Sequence, residues 1–207
     1  TYNAFWYFIG STVAEIPYVF SSALLFTVVF YWMVGFTGFG TAMLFWLNFS
    51  LMILMQTYMG QLFAYALPSE EVAAIMGILV LNILILFMGF SPPANAIPSG
   101  YKWLYKITPL RFPLSIAAAL VFADCSTEPH YDAATDSWSN VGSELGCQPL
   151  ANSPPAIGHI TVKQFTEDVF GMEHDNITAY FFVVLGYIVG FRILAGLALR
   201  YINHQKR

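Results

Sequence analysis

The chain has 207 residues, of which 57% are hydrophobic and only 10% charged; a soluble globular domain carries roughly 25% charged residues. The formal net charge of −4 is segregated: residues 1–122 hold six charges, 123–178 hold nine acids and one base, and 179–207 hold four bases. Such a pattern excludes a water-exposed globule and a basic nucleic-acid surface, and it describes membrane spans joined to one water-facing acidic block.

The chain opens in mid-pattern without Met and reads as a fragment of a longer protein. Residues 1–11 (TYNAFWYFIGS) are aromatic and amphipathic and predict an interfacial helix. Span A is predicted over about 12–35, with Pro17 near its start. GFTGFGT (35–41) is Gly-rich and uncharged, a tight turn, and it lacks the G-K-[ST] of a phosphate loop. Span B, about 41–66, contains Gln56, Thr57, Gly60, Gln61 and Ala64 on one helix face. Polar groups at membrane depth need partners, so that face either holds helices together or lines a path.

LPSEE (67–71) breaks the pattern, offers Ser69 as an N-cap and puts Glu70 and Glu71 in the next first turn. Span C is predicted over about 72–91, with Asn82 its only strongly polar interior residue. The proline-rich 91–100 is a loop. Pro113–Ala123 is an apolar run too short for ~30 Å of hydrocarbon, so 101–123 reads as a short amphipathic helix followed by a re-entrant or interfacial helix. After the polar block, span D is predicted over about 179–199, with Gly186 and Gly190 inside it.

Four spans put both ends on one side, and the basic tail (Arg200, His204, Lys206, Arg207) argues for the cytoplasm. Lys102, Lys106 and Arg111 then fall outside, against that rule. The acidic block and its cysteine pair decide between the two. Cys125 and Cys147 in one polar loop read as a disulfide in an oxidising compartment, the alternative being two free cytoplasmic thiols. Asn176-Ile177-Thr178 is a glycosylation sequon abutting span D.

The motifs of catalysis are missing: there is no HExxH, CxxC, GxSxG or nucleotide-binding loop. His130, His159 and His174 lack metal-ligand spacing, so no metal site is expected. Glu15, one turn into span A, reads as a buried ion-pair or helix-end residue, with a proton relay as the alternative; Arg192 in span D can snorkel or pair.

An ordered set of features points further. An aromatic helix leads into a span with an acid and a proline (YFIGSTVAEIPYVF, 7–20), and two spans follow. Next come Phe87-Met88-Gly89-Phe90, a stretch with Ile97-Pro98, and Trp103-Leu104-Tyr105-Lys106-Ile107-Thr108-Pro109-Leu110-Arg111-Phe112. A cysteine-bearing loop and a last span with a basic tail close the order. This set resembles the ABC-2 type transmembrane domain of the G subfamily of ATP-binding cassette transporters, in particular the C-terminal membrane half of the pleiotropic drug resistance branch, over essentially the whole chain.

The resemblance implies an all-α membrane fold: four transmembrane helices, an amphipathic N-terminal helix, re-entrant helices and an extracellular region over 92–178. The 1–11 helix, with residues up to 14, looks like the coupling helix that touches a nucleotide-binding domain, and Glu15 falls at its junction with the span. Val19 falls in the region tied to selectivity. Ile78, Leu81, Asn82 and Ile85 would face a substrate cavity, and Phe90 suits a hydrophobic plug, while the polar Ser91 departs from an apolar pair there. The resemblance further implies no cofactor on these residues, with ATP and magnesium on nucleotide-binding domains elsewhere in the parent protein. It implies a second transmembrane half as partner, small hydrophobic or amphipathic substrates, export by alternating access, a plasma-membrane location and a cytoplasmic C-terminus. A non-transporting membrane module whose acidic loop binds a partner is the main alternative. A channel would want charges along the spans, and an intramembrane enzyme a nucleophile–base pair.

Overall fold

The computed structural model describes residues 4–151, 153 and 158–202. Residues 1–3 of the expected N-terminal helix, and His204, Lys206 and Arg207 of the basic tail, lie outside the described residues. The chain divides into two compact units, one of residues Thr1–Ile85 and Phe181–Arg207, the other of Leu86–Tyr180.

The first unit is built of long helices: α1 (Ala4–Met33), α2 (Phe39–Ala66), most of α3 (Glu70–Leu86) and most of α7 (Ile177–Tyr201). The expected N-terminal interfacial helix is not a separate piece. It runs into span A as one helix, because the only breaker, Pro17, costs a single internal hydrogen bond that a membrane helix tolerates. The buried residues of α1 recur every fourth position, Val19, Ala23, Thr27 and Tyr31, and this stripe faces α2. Gly35 (φ 82°) and Gly38 (φ 96°) make the turn between the two helices, in a backbone region that side chains disfavour. Phe30 lies by Phe45 and Phe26 by Phe49, with ring centroids 6.2 and 4.7 Å apart, and Trp46 Nε1 donates to the Phe20 carbonyl at 3.0 Å. Ser69 caps α3, its Oγ accepting from the Val72 N–H at 3.3 Å.

Among the described residues three helical stretches are long and apolar enough to cross a bilayer, Phe8–Met33, Phe39–Ala66 and His174–Tyr201, or four if the bent pair of the second unit is one span. The fourth expected span is shorter than the apolar run suggests. α3 stops at Leu86, and its 17 residues rise only about 25 Å. Gly89 adopts φ 89° in the turn that follows, and a helix cannot continue through that conformation.

In the second unit, α4 (Lys102–Ile107) and α5 (Arg111–Phe122) belong to a pair of helical stretches, Ser99–Ile107 and Arg111–Phe122, that meet at 84°. The break falls at Thr108, held extended (φ −66°, ψ 116°) by the proline after it. The all-α expectation also misses a small hairpin, β1 (His130–Asp132) paired antiparallel with β2 (Ser137–Ser139), Tyr131 opposite Trp138. Its turn is made by Asp132, whose carboxylate accepts the Ala134 N–H at 2.9 Å, and by Asp136 at φ 48°. Asx chemistry of this kind carries no helical or strand periodicity that a sequence scan would register.

A disulfide joins Cys125 to Cys147 with Cα atoms 5.1 Å apart. The chain turns back tightly beside it: a Cβ on Gly146 would lie 2.5 Å from the Asp124 carbonyl oxygen, so only glycine fits. α6 (Val162–Phe170) follows, opened by a capping box between Thr161 and Gln164 and closed by Gly171 in the left-handed region. Backbone bonds from Val162 N to Gln148 O (3.0 Å) and from Leu150 N to Ile160 O (2.9 Å) tie its start to the disulfide-bearing segment.

Candidate functional site

A buried polar cluster in the first unit joins α1, α2 and α7. Arg192, 9% exposed on α7, donates to the carbonyl of Phe8 at 2.8 Å, to Thr12 Oγ1 and to Gln61 Oε1. The Gln61 amide in turn donates through Nε2 to Glu15 Oε1, which also accepts from Ser11 Oγ at 3.1 Å. The guanidinium lies 3.8 Å from the Phe8 ring centroid and 4.7 Å from that of Tyr58. Gly196 makes room for that Phe8 ring, which a Cβ there would meet at 3.2 Å. Thus the only acid of α1 and the only charge within the apolar part of α7 are linked through an amide of α2. Glu15 Oε2, Tyr58 Oη and Arg192 Nε are buried atoms without a hydrogen-bond partner among the described residues, which marks the cluster as a polar core with unused capacity.

α3 is the opposite kind of surface. Ala73 is its only buried residue, while Ile78 is 61% and Ile85 43% exposed, with Leu81 and Asn82 exposed beside them. Asn82 Nδ2 donates to the Ile78 carbonyl one turn back, at 2.8 Å, so the amide lies along its own helix. Four of the candidate cavity residues therefore share one open apolar helix. Val19 does not join them on an open face: at 6% exposure it sits within the buried stripe of α1.

Phe90 lies in the turn after α3, and its ring is stacked on Phe170 of α6, centroids 5.7 Å apart and planes 16° apart. The preceding Gly89 is pressed against Tyr105, whose Cε2 is 2.5 Å from where a Cβ would stand. On that Tyr105 ring lies the Arg111 guanidinium, 4.1 Å from the centroid, and its Nη2 donates to Tyr180 Oη at 3.4 Å. Ser91 is exposed beside Phe90.

In the acidic region the carboxylates are occupied with backbone and hydroxyl donors. The Ser126 N–H at 2.8 Å and its hydroxyl at 3.0 Å hold the Glu144 carboxyl below its ordinary value. The Ala134 N–H and then the Thr135 hydroxyl do the same for Asp132. Ligand atoms of Glu144, Cys125 and Cys147 lie within 4.8 Å of one another. Both sulfurs are spent in the disulfide, so this group offers no thiolate to a metal.

Sequence reasoning named Glu15, Gln61 and Arg192 separately and missed their union. The available signal was charge arithmetic: a lone acid and a lone base on different spans, with a polar face on a third. The stacking of Phe170 on Phe90 and of Arg111 on Tyr105 had no such signal, because aromatic residues are 17% of this chain and any of them could pair.

Residues 1–122 match the family model described as ABC-2 type transporter. The chain is 27% identical over 207 residues to ABC transporter G family member 52 of Oryza sativa subsp. japonica, covering 100% of this chain and 13% of that protein. It is 28% identical over 218 residues to ABC transporter G family member 2 of Dictyostelium discoideum, covering 94% of this chain and 15% of that protein. It is 26% identical over 208 residues to Pleiotropic drug resistance protein 1 of Nicotiana tabacum, covering 100% and 13%. The chain thus spans a small part of the length of the relatives it matches.

Proposed function

Because the chain belongs to the ABC-2 type transporter family, we propose that it is the permease part of an ATP-driven exporter of amphipathic or hydrophobic compounds. The observation that carries this reading is α3: beyond its acidic first turn, a helix apolar on all sides and open along nearly its whole length, with a single amide at Asn82. Such a surface binds by area and shape and uses one polar anchor, which favours broad selectivity among greasy substrates. Ile78, Leu81, Asn82 and Ile85 are the proposed contacts. Val19, one turn from Glu15 in α1, acts on selectivity through packing.

In this reading ATP and magnesium act on nucleotide-binding domains elsewhere in the whole protein, and a second transmembrane half completes the substrate path. The N-terminal part of α1 receives the motion of the nucleotide-binding domain. Glu15 passes it to α2 through Gln61 and to α7 through Arg192, so that three helices move together and access alternates between the two sides. Phe90 closes the exit. The acidic region stands on the outer face, where its disulfide is stable, the C-terminus lies in the cytoplasm, and the plasma membrane is the proposed location.

The test is the substrate profile of the full-length protein. Asn82→Ala and Ile85→Ala should shift relative transport among a panel of lipophilic dyes severalfold while leaving nucleotide hydrolysis close to normal. Unchanged transport of every dye by both variants would remove α3 as the substrate surface.

A further inference from the structure

We infer that the exit closure of this chain is a two-part latch, Phe90 on the turn after α3 and Phe170 at the end of α6; this rests on the reading of Phe90 as the plug. The residue after Phe90 is Ser91, exposed and polar, so the turn alone presents one apolar ring and not two. The second ring comes from the acidic region. Phe170 stacks on Phe90 at 5.7 Å and 16°, and is itself backed edge-on by Phe165 at 5.6 Å and 83°.

Both halves are built to hold position. Phe90 follows Gly89, which is wedged against the Tyr105 ring under the Arg111 guanidinium. Phe170 is the last residue of a helix capped at both ends and tied by Lys163 to Glu128 at 3.2 Å. Phe90 is nonetheless 56% exposed, so one face of its ring is covered while much of the rest is open. The geometry is that of a contact made by two firm supports across a small area, which can part without unfolding either. α6 is then a moving or yielding part of the gate, and the region bearing it takes part in transport instead of merely covering the exit.

The test uses the full-length protein in intact cells, with its reactive cysteines removed, the Cys125–Cys147 pair kept, and Asn82→Cys as reporter. The probe is a membrane-impermeant sulfonated maleimide, and the readout is its labelling rate from outside without added substrate. Phe170→Ala should speed labelling about three- to tenfold, the range set by one aromatic pair. Phe90→Ala should do the same, and the double variant no more than either alone. Phe170→Tyr, which keeps the stacking face, should retain the parent rate. If Phe170→Ala fails to reach the surface, Phe170→Leu takes its place with the same expected increase. Fast labelling of Phe90→Ala with parent-like labelling of the Phe170 variant overturns the latch and leaves Phe90 as a plug. Increases that multiply in the double variant also overturn it. No change in either variant removes the plug reading and the latch together.

Discussion

The two units of this chain keep their polar groups by different means. In the helical unit the one acid of α1 and the buried arginine of α7 are drawn into one cluster, Glu15–Gln61–Arg192 with Ser11 and Thr12, while large apolar side chains cover much of the exposed helix surface. In the acidic unit the polar groups are dispersed, several of them held locally by a cap, a turn or a backbone donor, and a disulfide closes the segment. The difference follows from solvent. Hydrocarbon offers no hydrogen bonds, so charges there must find one another. Water satisfies what the fold does not, so short irregular structure needs only covalent and local fastening.

This contrast can be broken most forcefully at Arg192. Arg192→Met should destabilise the full-length protein by about 3–5 kcal/mol, the cost of leaving the partner of a buried charge uncompensated. Adding Glu15→Gln should recover much of it, as read by melting in detergent. A double variant no better than the single would mean the two charges are not coupled through Gln61. Next is the disulfide: Cys125→Ser should cost the outer region roughly 3 kcal/mol on the chain-entropy model. Protease resistance of that region should fall while the helical unit stays intact.

Gly146→Ala sharpens the same point. Its Cβ would meet the Asp124 carbonyl at 2.5 Å, a backbone clash worth about 1–3 kcal/mol and visible as faster cleavage near residues 142–148. Thr161→Ala, which removes half of the capping box of α6, should cost about 1 kcal/mol, read by amide exchange in α6. The smallest effect is one of pH. The Glu144 carboxyl is held low by Ser126, so the contact contributes stability above the ordinary carboxyl range and loses it as pH falls through the depressed value. Protection of the Ser126 amide should therefore persist at mildly acidic pH and fade only below the usual glutamate range, and Glu144→Gln should abolish that dependence.

Much of the helical unit was legible because hydrophobic length is a direct physical constraint. α1, α2 and α7 overlap the expected spans A, B and D, and the Gly35–Gly38 turn and the Ser69 cap stand where local chemistry puts them. The end of α3 was not legible, since Phe87, Met88 and Phe90 extend the apolar run past the glycine that breaks the helix. The hairpin at 130–139 was hidden for the converse reason: its strands are three residues long, too short for alternation to register. Of the candidate site, the helix bearing Asn82 was readable as an apolar span, while its place beside a substrate came only from the family resemblance. The joining of Gln61 to Arg192, 131 positions apart in sequence, needed the fold.

The proposed topology, in which the disulfide-bearing acidic segment faces the outside, is the part of the reading on which the direction of export depends. Labelling of Cys125 and Cys147 with a membrane-impermeant thiol reagent on intact cells expressing the full-length protein tests it most directly. The account predicts no labelling before reduction and labelling of both from outside after it. Protection from outside after reduction, with labelling on permeabilisation, would contradict it and would withdraw the proposed orientation and export mechanism together.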